Sequence, residues 1–147
     1  MSETIPITPL RPPDEDLTRI LREARTIAVV GLSNNPEKDS HHVALYLMEH
    51  GYTILPVNPA CPRILGRKSY SSLSEIPKEI SIDIVDIFRK PADVGPVVEE
   101  AILRGTKTVW MQLGIASPEA AAKARRAGLQ VVMDTCIRMT HGRLVNP

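Results

Sequence analysis

Five short aliphatic runs, separated by segments of helical period, leave this chain little choice of architecture. They are Thr26–Val30, Tyr52–Val57, Ile82–Phe88, Thr108–Met111 and Gln130–Met133. Short apolar strands of this kind are buried on both faces, which is the condition of a parallel sheet covered by helices. The intervening segments supply those helices. Leu17, Ile20, Leu21 and Ala24 recur at helical spacing within Asp14–Arg25. Ser40 is placed to cap a helix over His41–His50, which Gly51 closes. Val94, Val97, Val98, Ala101 and Ile102 make one apolar stripe behind Asp93 as N-cap, and Ser117-Pro118 opens an Ala-rich helix that ends at Gly128. Right-handed crossovers then predict an α/β fold: a Rossmann-like, doubly wound, parallel five-stranded sheet with helices on both faces. Residues 14–147 form this one domain, and the proline-rich residues 1–13 precede it as an extended arm.

Composition narrows the function classes. A formal net charge of +1 provides no long-range field to recruit nucleic acid or an anionic membrane. One Trp, one Phe and three Tyr are too few for a stacking platform. No cluster of His, Cys or carboxylates has metal-ligand spacing. Neither a leader-like N-terminus nor a long apolar run occurs, so a cytoplasmic protein is expected, with Cys61 and Cys136 as free thiols.

In doubly wound sheets, ligands bind beyond the carboxyl ends of the strands, near the point where the strand order reverses. The residues at those ends are therefore the candidates. After the first strand, Gly31 permits a sharp turn. Ser33, Asn34, Asn35, Lys38 and Ser40 then offer hydroxyl, amide and ammonium donors before a helix N-terminus, which favours an anion. Asn58-Pro59 follows the second strand, and Arg89, a bidentate phosphate donor by chemistry, follows the third. Gln112 and Gly114 follow the fourth, and Asp134, Thr135 and Cys136 the fifth, with Arg138 and His141 beyond. The glycine-rich dinucleotide fingerprint and the Walker A pattern are absent, and Asn58 stands where NAD-binding folds carry an acid. The residues alone leave three readings open: a nucleotide-cofactor binder, an NAD(P)-dependent oxidoreductase, and an interaction module with a vestigial pocket.

Taken in order, Ala28-Val-Val-Gly31 with Ser33, Asn34, Pro36 and Ser40, then Gly51-Tyr52 and Pro56-Val-Asn-Pro59, begin a recognisable series. Ile64-Leu-Gly66, Asp83-Ile-Val-Asp86, Phe88-Arg89, Trp110, Gln112-Leu-Gly114, Val132-Met-Asp134 and Cys136 continue it. The series resembles the coenzyme A-binding domain family, stand-alone relatives of the N-terminal domain of the succinyl-CoA synthetase alpha subunit. The resemblance implies a domain that holds coenzyme A or an acyl-CoA. Ser33 to Asn35 and Ser40 would face the phosphates, Lys38 would add charge, Asn58-Pro59 would line the nucleotide side, and Arg89 and Gln112 would close the site. Thr140 stands where a glutamate would be expected in the family. None of the four histidines belongs to a recognisable catalytic constellation, so a regulatory or carrier role is expected, with a second copy or an acyl-CoA enzyme as partner. Cys136 reads either as a small buried hydrophobe or as a thiol that exchanges with that of coenzyme A.

Overall fold

A computed structural model describes residues 9–147. The first eight residues of the expected arm lie outside the described residues. From Pro9 onward the arm runs beside the last strand, where Leu10 accepts a hydrogen bond from the Met133 N–H at 2.6 Å and Pro9 accepts one from Arg125 at 2.7 Å.

The element order is α1 (Asp14–Glu23), β1 (Thr26–Val30), α2 (Asp39–Glu49), β2 (Thr53–Val57), β3 (Arg63–Ile64), β4 (Arg67–Lys68), β5 (Ile84–Ile87), α3 (Val94–Leu103), β6 (Thr108–Met111), α4 (Pro118–Arg126), β7 (Gln130–Val132) and α5 (Ile137–Leu144). Five strands form one wholly parallel sheet in the order β2-β1-β5-β6-β7. The chain starts near the middle, steps outward to β2, then returns past β1 to build the other half. The order therefore reverses between β1 and β5. Strand β2 forms an edge, which is where Pro56, lacking an N–H, is tolerated.

Alternation along the strands divides the core in two. Ala28, Val30, Val85, Ile87, Val109 and Met111 pack against α3 and α4 on one face. Ile27, Val29, Ile84, Trp110 and Val132 pack against α1, α2 and α5 on the other. The sheet is thus covered on both sides, as the apolar strands require. On the second face the register aligns Val29, Asp86 and Trp110 across β1, β5 and β6.

Two local expectations are corrected. Helix α2 begins before its expected start, at Asp39, so Ser40 lies inside it and is not its cap. The Ser40 hydroxyl oxygen instead accepts the Ser33 N–H at 2.9 Å, pulling the β1–α2 loop onto the helix. Asp93 precedes α3 but makes no capping bond through its side chain, whereas Ser117 does cap α4, accepting from the Ala120 N–H. The segment after β7, in which the sequence pattern predicted no element, is also ordered as a helix. It forms α5, which buries Ile137, Thr140 and His141.

Candidate functional site

The carboxyl ends of β1 and β5 meet at Gly31. Its φ is +86°, and a Cβ there would stand 2.2 Å from the Phe88 carbonyl oxygen. Only glycine lets the two strand ends lie this close while the chain turns toward α2. The loop that follows is held by its own side chains. Ser33 Oγ accepts the Asn35 N–H, Asn35 Oδ1 accepts the Glu37 N–H, and His41 Nδ1 donates to the Ser33 carbonyl at 2.9 Å. Asn58 ties the end of β2 to this loop: its Nδ2 donates to the Leu32 carbonyl and its Oδ1 accepts the Ala60 N–H, both at 2.9 Å. Pro59 is exposed beside it. Asn34 and Lys38 are exposed, Arg89 is half-buried, and among the described residues neither Lys38 nor Arg89 has an ion-pair partner.

A cleft of about 490 Å³ opens at the same sheet edge, between the starts of α2 and α5. Asp39, His42 and Val43 of α2 form one wall, and Cys136, Arg138 and Met139 form the other. Its floor comes from the ends of β5 and β6, through Phe88, Gln112, Leu113 and Ile115. Of the strand-end candidates named in the sequence, Gln112, Cys136 and Arg138 line this cleft. Gly31, Ser33, Asn34, Asn35, Lys38, Asn58, Pro59 and Arg89 lie in the loops leading away from it, over β1, β2 and β5, and Ser40 lies in the first turn of α2. Gly114 adjoins the floor with φ +82° and gives its N–H to Asp134 Oδ1 at 2.6 Å.

Gln112 is the polar residue buried most deeply in the cleft, at 4 % exposure. Its Oε1 accepts the Ile137 N–H at 3.1 Å, which fixes the first turn of α5. Its Nε2 has no partner among the described residues and remains a donor for whatever enters. Arg138 has no ion-pair partner among them either and lies over the Tyr46 ring, 6.0 Å from its centroid. Asp39 supplies a carboxylate on the opposite wall. Sequence pattern did not reveal Asp39, His42 and Met139 as lining residues, and it named Arg138 without its helix, because α5 itself is hard to see in it. The inward positions Ile137, Thr140, His141 and Leu144 do follow i, i+3, i+4, i+7, but two of the four are polar. Behind the cleft, Tyr46 OH and His141 Nδ1 are 2.9 Å apart, joining α2 to α5; burial and the neighbouring His50 lower the His141 pKa.

The CoA binding domain model matches residues 25–142. The chain belongs to the CoA binding domain family. It is similar to an uncharacterized protein, YneT, of Bacillus subtilis, with 38% identity over 130 residues, covering 88% of this chain and 95% of that protein. It is also similar in structure to a hypothetical protein from Pyrococcus horikoshii OT3, with a TM-score of 0.89 and 44% identity over 99% of both chains. A larger family relative is the acetate–CoA ligase (ADP-forming) II subunit alpha of Pyrococcus furiosus, 39% identical over 67 residues. That match takes in 45% of this chain but only 15% of the ligase subunit. The family segment begins with the turn into β1 and ends within α5, so it contains every strand end and both walls of the cleft.

Proposed function

We propose that this protein binds coenzyme A or an acyl-CoA along the carboxyl edge of its sheet and serves as a carrier or regulator rather than as a catalyst. The observation that carries this reading is the juxtaposition of two unlike regions at the strand-order reversal. One is the polar β1–α2 loop with Lys38, beside Arg89 after β5, two cations without ion-pair partners among the described residues. The other is a cleft walled by Val43, Phe88, Leu113, Ile115 and Met139. A ligand with a phosphate-rich end and a long, mainly apolar arm matches both. The Gln112 Nε2, without a partner among the described residues, fits the amide carbonyls of such an arm.

In this reading Ser33, Asn34, Asn35, Lys38 and Arg89 serve the phosphates, with the α2 N-terminus behind them. Gly31 and Ser40 hold the loop in place. Asn58 and Pro59 flank the nucleotide, and Gln112, Gly114 and Cys136 attend the thiol end. NAD fits less well. Both polar ends of the Asn58 side chain are already committed within the protein, and no acid stands at the end of β2 to accept from a ribose hydroxyl.

The test is calorimetric titration of nucleotide-free protein, in reductant, with coenzyme A, NAD and ATP. Micromolar binding of coenzyme A alone is expected. Arg89→Ala should weaken it about tenfold, equivalent to about 1.4 kcal/mol. Tighter binding of NAD than of coenzyme A would overturn the reading.

A further inference from the structure

Cys136 stands at the junction of two depressions. It lines the cleft between α2 and α5 and also a neighbouring trough of about 510 Å³ whose far side carries Arg11 and Arg143. Leu113 and Met139, 66% and 65% exposed, are shared by both depressions and flank the cysteine with apolar surface. The thiol is free and half-buried. Among the described residues no group of His, Cys, Asp and Glu is arranged to hold a metal ion, so metal ligation does not account for its place. A second feature marks this point as a ligand position: Gln112, more than nine-tenths buried on the cleft floor, has an Nε2 without a partner among the described residues. Cys61 is also free and half-buried, and differs in position. It packs against the α1/α2/α5 core and lines neither depression.

We propose that Cys136 is a thiol-exchange site, forming a reversible disulfide with the terminal thiol of a pantetheine-type ligand held in the cleft. This rests on the coenzyme A reading above and adds a covalent, redox-dependent state to it. The chemistry balances with the ligand's own disulfide as oxidant. The Cys136 thiolate attacks one sulfur of the symmetrical coenzyme A disulfide, and the ligand S–S bond breaks as the Cys136–ligand S–S bond forms. The second coenzyme A leaves as a thiolate and takes up the proton that Cys136 gave up. A second thiol, from free coenzyme A or another small thiol, reverses the step. The apolar flanks and the Gln112 donor select a ligand with an amide-bearing arm, so exchange is faster than with a small charged disulfide.

The experiment incubates full-length protein, without reductant, with coenzyme A disulfide or with glutathione disulfide, and follows intact mass and peptide maps over time. Expected is one coenzyme A adduct per chain, located on Cys136. It should form at least about tenfold faster than the glutathione adduct, be removed by dithiothreitol, be absent in Cys136→Ser and be retained in Cys61→Ser. Labelling at Cys61, or equal rates for the two disulfides, would overturn the proposal. Calorimetry with reduced coenzyme A separates its failure from that of the binding reading. Reversible binding without an adduct at Cys136 refutes thiol exchange alone, whereas neither binding nor adduct refutes both.

Discussion

Gly31 shows at the scale of one residue how the site depends on the fold. Two costs coincide there: a left-handed backbone, and a carbonyl oxygen in the space a Cβ would fill. Gly51 has φ +93° but nothing within 4 Å of its would-be Cβ, so it carries only the first cost. Gly51→Ala should therefore cost about 1 kcal/mol and Gly31→Ala about 3 kcal/mol or more, because the β1 and β5 ends must separate. Urea unfolding midpoints check the difference, and equal losses would show that the Phe88 contact yields freely. Gly31 was legible in the sequence because a glycine directly after an apolar strand marks a sharp turn that a side chain would obstruct. The internal commitments of Ser40 and Asn58 were not legible. A short polar side chain can face a ligand or its own backbone, and only the path of the loop decides between them.

At the scale of elements, the strands were the most legible feature because both their faces are buried and composition alone marks them. The β3–β4 hairpin escaped notice: two-residue strands have no period, and its turn relies on Leu65 at φ +54° followed by Gly66 at φ +73°. Helix α5 escaped for the opposite reason, its period being present but half polar. One side chain fastens the long connection before β5. Arg104, at the end of α3, donates to the carbonyls of Leu73, Ile76, Pro77 and Ile80, drawing a polar backbone segment over the core formed by Leu73, Ile76 and Ile82. Arg104→Ala leaves four carbonyls without that donor and should destabilise by about 2 kcal/mol. Arg104→Lys should recover only part of the loss, because one ammonium cannot reach all of them. Faster amide exchange confined to residues 73–82 would identify the loosened element. A uniform change across the sheet would instead mean that Arg104 serves global stability alone.

The whole molecule's response to pH is set by groups that pull in opposite directions. Asp83 is raised by partial burial, but the N–H groups of Thr26 and Arg25 and the Lys107 ammonium outweigh this and hold its pKa below 3.8. Its contribution is full above 3.8 and is lost as pH falls through the depressed folded value. His141, lowered by burial and by His50, adds to the same limb: its contribution is full above 6.5 and declines as pH falls from there to its folded value. Asp86 acts in reverse. It is fully buried between Val29 and Trp110, neither carboxyl oxygen has a partner among the described residues, and burial raises its pKa well above 3.8. The folded state holds this proton where the unfolded chain has released it, so stability falls as pH rises from 3.8 until the folded carboxyl ionises. Asp86→Asn removes the ionisable group while keeping its shape. The variant should match the parent near pH ~4, exceed it in melting temperature at pH ~8, and retain the acid limb due to Asp83 and His141. Thermal melts from about pH 4 to about pH 9 measure this directly. Parallel curves for parent and variant would mean that Asp86 is ionised in the folded protein and has found a counter-charge at the centre of the sheet.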